Sequence, residues 1–404
     1  MSFRRLTAFG AIAVLTFAAC TSDGGGSASP SEPAASEPAA SESAGASESA
    51  AAGGDCTVAV SWNNYQQPRW AALDEPGIRD TVEAGGGTYI SADANLSTEQ
   101  QLTDVTTMLG QGADVLIVLA QDTTVIGPAV QAAKDANVPV IAYDRLIEDP
   151  DILYITFDNI GVGKAEADAI LAAVPTGNYV LIKGDPGDPN ASTFLPQGWD
   201  EAGLADKVAA GDITILADQF TPAWDTQTAQ NNMEAIIQQA QAADQEINAV
   251  LAENDSTALG VVAALVANGL EGVPVSGQDG DPANLNNLAL GKQYVDVWKN
   301  SNELGKAAGQ AALQLCEGKA MGEITVDVDA SVAPLAGNTA TDFTTPGPDG
   351  KPDTGDEIVV KSIILQPTPL LAEDLEKVTS GWYATKDQIC NGVQADDPGG
   401  PDCQ

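Results

Sequence analysis

Polar residues able to grip a ligand recur in this chain directly behind short runs of branched apolar residues. Asp144 and Arg145 follow Val138-Pro-Val-Ile-Ala-Tyr143, Asn254 and Asp255 follow Ala249-Val-Leu-Ala252, and Lys299 follows Val295-Asp-Val-Trp298. Asp188 and Asn190 lie in the loop after Tyr179-Val-Leu-Ile-Lys183, and Gln278 and Asp279 lie beyond Val273-Pro-Val-Ser276. Arg69 and Trp70 follow the first such run, and Trp224 follows another. The set combines carboxylate acceptors, amides, fixed cations and indole faces. It suits a neutral polyhydroxylated ligand: hydrogen bonds from charged groups contribute roughly 1.5–3 kcal/mol each, and indole rings cover apolar C–H faces. For Asp144-Arg145 taken alone, a solvated salt bridge at a strand end is the competing reading, and such pairs contribute little.

No catalytic set is expected. The chain has no histidine, which removes histidine triads, histidine metal sites and imidazole acid–base chemistry, and no activated serine or phosphate-cradling glycine loop stands out. No metal site is expected either: the cysteines lack CxxC spacing. The aspartates of the acidic stretch 340–357 (Asp349, Asp353, Asp356) do not match an EF-hand, and that stretch reads as a solvated hairpin tip. No cofactor is implied.

Elements must bring these residues together. From Thr57 the sequence alternates β-rich runs with amphipathic helical stretches, as at Val115–Leu119 followed by Val125–Ala136. Near Tyr154–Asn159 the pattern begins again and continues through Glu303–Cys316. Strands alternating with helices imply parallel sheets covered on both faces. The expected fold is α/β, two doubly wound lobes with a cleft lined by strand ends, where ligands bind in open α/β sheets.

The formal net charge of −40 over 404 residues argues against nucleic acid, which needs basic patches. Arg4 and Arg5 precede an apolar run, Leu6–Ala19, too short to span a bilayer. It reads as an export signal over residues 1–19, ending in Leu-Thr-Phe-Ala-Ala-Cys20, a sequence that resembles a bacterial lipoprotein box with Cys20 as the lipidated residue. Residues 20–54, nearly all Ser, Ala, Glu, Gly and Pro, cannot bury a core and read as a tether outside the membrane. The remaining Cys56, Cys316, Cys390 and Cys403 allow three pairings in an exported chain. Topology favours Cys56–Cys316, at the base of the first sheet, and Cys390–Cys403 near the end.

Pro-Arg69-Trp70, Ala-Tyr-Asp144-Arg145-Leu-Ile, Thr-Phe-Asp158-Asn159, Gly-Asp-Pro-Gly-Asp188-Pro-Asn190-Ala, Ala-Trp224, Glu-Asn254-Asp255, Ser-Gly-Gln-Asp279 and Val-Trp-Lys299 together resemble the type I periplasmic sugar-binding proteins of ABC importers, most of all their xylose-binding branch. The resemblance covers about Cys56 to Ile389. It implies that Arg69, Arg145, Asp188, Asn190, Asn254, Asp279 and Lys299 hydrogen-bond a monosaccharide, that Trp70 and Trp224 stack on it from opposite lobes, and that Asp144 is a further acceptor or the partner orienting Arg145. Asn254, in place of a carboxylate, points to D-xylose over glucose, galactose or arabinose. The resemblance also implies a three-segment hinge with Asp158 and Asn159 in it. It divides the chain into one lobe at 55–157 plus 299–361, a second at 158–298 plus 362–390, and a tail at 391–404. The implied protein is a monomer held at the cell membrane by its lipid, handing sugar to an ABC transporter permease; the alternatives are a sensory binding protein serving a membrane receptor, or a binding protein for another aldose such as glucose, galactose or arabinose.

Overall fold

Strands form where β-branched and aromatic residues run unbroken, and their burial follows from that composition. The computed structural model describes residues 56–347, 355, 357–379 and 384–403. The signal segment, the tether, Cys20 and Asp349, Asp353 and Asp356 lie outside the described residues.

The first lobe opens with β1 (Thr57–Trp62), α1 (Glu75–Ala84), β2 (Thr88–Asp93), α2 (Thr98–Gly110), β3 (Val115–Val118), α3 (Gly127–Asp135), β4 (Val140–Tyr143) and β5 (Leu153–Phe157). The second holds α4 (Asn159–Ala173), β6 (Gly177–Lys183), α5 (Leu195–Glu201), α6 (Leu204–Ala210), β7 (Ile213–Phe220), α7 (Thr226–Ala242), β8 (Ala249–Ala252), α8 (Asp255–Ala267), β9 (Gln278–Asp279), α9 (Pro282–Ala289) and β10 (Asp296–Trp298). The chain then returns to the first lobe through α10 (Ser301–Cys316), β11 (Thr341–Thr344) and β12 (Val359–Leu365). It crosses once more to β13 (Thr368–Leu370) and the short α11 (Glu376–Thr379) and α12 (Lys386–Ile389).

The first-lobe sheet has the order β11-β12-β5-β4-β3-β1-β2. Only β11 runs antiparallel, against β12. Every residue of β3, β4 and β5 is buried, as central parallel strands covered on both faces must be. Ile78 and Val82 of α1 and Leu304, Ala308 and Ala311 of α10 cover one face; Val105 and Met108 of α2 and Val130 and Ala133 of α3 cover the other. Helices α1 and α10 meet at glycines: a Cβ on Gly77 would lie 2.4 Å from the Asn302 carbonyl oxygen. In the second lobe β7-β6-β8 and β13-β10-β9 form two ladders, with a parallel bridge from Val250 in β8 to Val275 in the segment leading to β9. The run Val273–Ser276, which the sequence suggests as a strand, contributes only that bridge.

The chain crosses between lobes after Phe157, around Lys299 and after Leu365. The first and third crossings leave side by side, because β12 pairs with β5 as far as Leu365 opposite Phe157. That ladder corrects one expected boundary: the first lobe extends to Leu365, not 361, since Ser362–Leu365 are committed to hydrogen bonds with β5. The tail is corrected as well. Gly399 N–H donates to the Ala289 carbonyl at 3.0 Å, so residues beyond 390 pack on α9 as part of the second lobe. Cys390 is bonded to Cys403, and Cys56, just before β1, to Cys316 at the end of α10.

Candidate functional site

In each lobe the first strand is followed by a π-helical turn carrying polar residues: Trp70–Asp74 before α1, and Asn190–Phe194 before α5. Such turns are uncommon and cluster at functional sites. Trp70 of one turn and Asn190 of the other line the space between the lobes. One small space between the lobes is lined by Gln67, Arg69, Trp70, Asp144 and Arg145 from the first lobe, by Asp188, Asn190, Trp224, Asn254, Gln278 and Asp279 from the second, and by Lys299 on the crossing segment. All ten residues proposed from sequence as sugar contacts line it. The space is small: its empty volume, open solvent included, is ≈ 270 Å³. A larger groove flanks it, walled by Thr123, Ile126, Leu146, Pro189 and Ser192 among others; neither a fixed cation nor an aromatic ring lines that groove.

Arg69 is the hub of the first-lobe wall. Its Nε and Nη2 reach Asp74 at 3.1 and 2.9 Å, Nη2 lies 3.3 Å from Asp144 Oδ1, and Nη1 crosses the cleft to Asp279 Oδ1 at 2.9 Å. Its guanidinium also stacks 4.2 Å from the Trp70 ring centroid. Burial works against this charge, but the carboxylates of Asp74, Asp144 and Asp279 outweigh it and hold the Arg69 pKa above its ordinary value. Asp74, fully buried, is pushed up to about 6 by desolvation despite Arg69, and accepts a further bond from Tyr143 Oη at 2.6 Å.

Arg145 makes the second bridge across the cleft, with Nε 2.8 Å from Asp188 Oδ2 and Nη1 donating to the Ala120 carbonyl at 2.8 Å. Asp144 therefore does not orient Arg145: it faces Arg69, and Asp188 holds Arg145. The reason is the backbone at Asp144, whose φ of 64° turns adjacent side chains to different sides. The Asp144 carbonyl accepts from Thr156 Oγ1 at 2.8 Å and Asn190 Nδ2 at 3.3 Å, bonds that keep this left-handed residue in place. Asp279 (φ 111°) and Trp224 (φ 56°) share the departure. Strained non-glycine backbone of this kind concentrates at ligand clamps. Burial pushes Asp188 up to about 6 against the pull of Arg145, and it lowers the Lys299 pKa against that of Asp144 and Asp279.

Lys299 Nζ donates to Asn159 Oδ1 at 2.9 Å, and Asn159 Nδ2 donates to Asn190 Oδ1 at 2.9 Å. Asn159, read from sequence as a hinge residue, thus positions two lining residues, while Asp158 caps α4 by accepting from Gly161 N–H at 2.9 Å. Asn254 caps α8 with its amide oxygen, 2.9 Å from Thr257 N. Gln67 and Gln278 complete the wall. Gln67 and Asp74 are not among the residues that the sequence marks for the site. The indole Nε1 of Trp70 and of Trp224, Gln67 Nε2 and Gln278 Oε1 are buried without a partner among the described residues. Buried polar atoms are normally satisfied, so the wall presents both donors and an acceptor to a hydroxylated guest.

A family model described as periplasmic binding protein domain matches residues 58–320. The D-xylose-binding periplasmic protein of Escherichia coli (strain K12) is 34% identical over 272 residues, covering 67% of this chain and 81% of that protein. The protein of the same description from Haemophilus influenzae is 33% identical over 269 residues, covering 66% and 79%. Among solved structures, an ABC transporter solute binding protein from Clostridium phytofermentans with bound β-D-glucose is similar at a TM-score of 0.68 and 27% identity, covering 82% of this chain and 99% of that one.

Proposed function

The chain belongs to the periplasmic binding protein domain family, and from that premise we propose that it is an extracytoplasmic receptor that captures D-xylose between its lobes and presents it to an ABC transporter permease. It is a binding protein, not an enzyme. The observation that carries the reading is the convergence of Arg69, Trp70, Asp144 and Arg145 with Asp188, Asn190, Trp224, Asn254, Asp279 and Lys299 around one small space between the lobes.

Opening at the three crossings admits the sugar. Closure then brings Asp279 to Arg69 and Asp188 to Arg145, and the sugar hydroxyls enter that network of charged donors and acceptors. Ligand contacts to both lobes bias the equilibrium toward the closed form, the form a permease would read. The cations and carboxylates of the wall nearly balance, which favours a neutral guest, and the indoles of Trp70 and Trp224 serve its C–H faces. A wall built to bond each hydroxyl rejects an epimer by leaving buried groups unpaired. The xylose-binding relatives and Asn254 support a pentose. The glucose held by the Clostridium phytofermentans protein supports an aldohexose as the second reading. Lipidation of Cys20 would keep the receptor beside its membrane partner; a sensory receptor would use the same cleft.

The test is calorimetric titration of the chain with a panel of pentoses and hexoses. D-xylose is expected to bind most tightly. Preference for glucose would overturn the pentose assignment, and a panel without any binding would overturn sugar capture.

A further inference from the structure

Capture as outlined gives no role to one fully buried acid. Glu253 directly follows β8 and has no exposed surface, yet it is not among the residues that line the space between the lobes. Burying a carboxyl costs free energy unless its oxygens are bonded, and Glu253 Oε1 has no partner among the described residues. Its Oε2 accepts from Gly184 N–H at 2.7 Å. Gly184 directly follows β6 and lies against an indole: a Cβ there would stand 2.3 Å from three carbons of the six-membered ring of Trp224. The Gly184 carbonyl accepts from Thr221 N–H at 3.0 Å, and the Thr221 carbonyl accepts from Trp224 N–H at 3.0 Å. Both backbone polar groups of Gly184 are therefore committed, one to Glu253 and the other to the segment that carries Trp224.

We propose that Glu253 is a positioning residue for sugar capture: through Gly184 it fixes the indole of Trp224 as a platform that exists before the sugar arrives. The proposal rests on the reading of Trp224 as a sugar contact. Strands β6 and β8 pair as far as Ile182 opposite Ala252, and Glu253 N–H extends the ladder by donating to the Ile182 carbonyl at 3.1 Å. Two residues further along, Gly184 N–H is met by the Glu253 side chain instead of a backbone carbonyl. The Glu253 carbonyl is taken by Gln278 Nε2 at 2.7 Å, so the same residue also holds a second member of the wall. Without the Glu253 carboxyl a buried N–H would stay unpaired, which costs about as much as a lost hydrogen bond, and the backbone under the ring would be free to shift. Burial raises this carboxyl well above the ordinary range, against the pull of the Gly184 N–H, so a neutral amide can stand in for it. Glu253, Gly184, Thr221 and Trp224 all belong to the second lobe. The platform is thus complete in the open receptor, and binding need not order it.

Affinity of the full chain for D-xylose, or for whichever sugar of the panel binds best, is measured by calorimetry with and without Trp224→Ala. Glu253→Met fills a similar volume without an acceptor. It is expected to weaken binding roughly fivefold on its own and less than about twofold when added to Trp224→Ala, the signature of two residues acting as one unit. Glu253→Gln keeps an oxygen for the Gly184 N–H and should bind as the wild type does. Glu253→Asp, which draws the carboxyl back by one methylene, takes the place of Glu253→Met if that variant does not fold. Wild-type affinity in Glu253→Met, or the same loss with and without Trp224→Ala, overturns the proposal. The indole N–H resonance of Trp224 in the sugar-free protein, identified by its loss in Trp224→Phe, gives a reading that needs no sugar. It should move in Glu253→Met and stay in place in Glu253→Gln. An unmoved resonance in Glu253→Met refutes the positioning of Trp224; a moved one while no sugar binds means that the sugar reading fails and the positioning stands.

Discussion

Trp224 illustrates how much one site residue depends on another that never meets the ligand. It follows Ala223 in a left-handed pair, φ 59° and 56°, a conformation L residues adopt at a cost. Asp185 Oδ2, accepting from Ala223 N–H at 2.5 Å, and the Thr221 carbonyl, accepting from Trp224 N–H at 3.0 Å, hold the pair. The ring itself fits because residue 184 has no side chain: a Cβ there would lie 2.3 Å from three ring carbons. Gly184→Ala is therefore expected to weaken sugar binding as much as Trp224→Ala, roughly tenfold or about 1.4 kcal/mol, although Gly184 is no part of the cavity wall. Equal calorimetric affinity for wild type and Gly184→Ala would show that the indole is not a sugar platform. The site was legible to this depth because ligands gather at strand ends and the strands are plain in the sequence. The partners were less so. Nothing local tells that Arg145 pairs with Asp188 rather than its neighbour Asp144, or that Asn159 holds Lys299 (140 positions away). Those choices are made by a left-handed φ and by tertiary packing, neither of which leaves a periodic trace.

Among the elements, the paired β11 and β12 edge the first-lobe sheet and reach Phe194 of the second lobe through Phe343. In sequence the stretch 340–357 reads as a solvated hairpin tip, since four residues alternating partly buried and exposed give too short a pattern to mark Thr341–Thr344 as a strand. The strands buried on both faces were readable from their unbroken Val, Ile and Leu; this edge strand was not. Its Phe343 lies 5.9 Å from Tyr154 of β5 and 6.2 Å from Phe194. Phe194 ends the turn that begins with Asn190, and its ring is buried in the first lobe's core. Phe343 thus braces a second-lobe site residue from the first lobe, beside the crossings. Phe343→Ala should cost about 1–2 kcal/mol of stability, less than the roughly 3–5 kcal/mol of a fully buried phenylalanine because this one is half-buried. It should also speed sugar release several-fold, with Phe343→Leu recovering most of both. Urea unfolding and stopped-flow release check the two effects; a stability loss with unchanged release would confine Phe343 to packing.

For the whole molecule, the composition turns pH into a selective probe. The chain has no histidine, and Cys56, Cys316, Cys390 and Cys403 are paired in disulfides. An ordinary carboxyl is already ionised by pH 6, so the window from there to pH 9 singles out carboxyls that folding raises. Among the described residues these are buried acids. Burial raises Asp74 and Asp188 to about 6, Asp296 to about 7 and Asp281 to about 8, with Glu166, Glu253 and Asp255 higher than the ordinary range. A carboxyl whose pKa is raised by folding binds its proton more tightly when folded. Its contribution is full below the unfolded value near 4 and is lost as pH climbs to the folded value. Each unit of that shift corresponds to about 1.4 kcal/mol, and 1 kcal/mol moves the midpoint by roughly 2–4 °C in domains of 150–250 residues. The melting temperature is therefore expected to fall from pH 6 to pH 9 by at least about 3 °C, opposite to the stabilisation that salt-bridged surface acids give as pH rises. Scanning calorimetry at fixed ionic strength decides it. A midpoint that is constant or rises over that range would mean that the buried carboxyls are ionised throughout, their charge balanced within the fold.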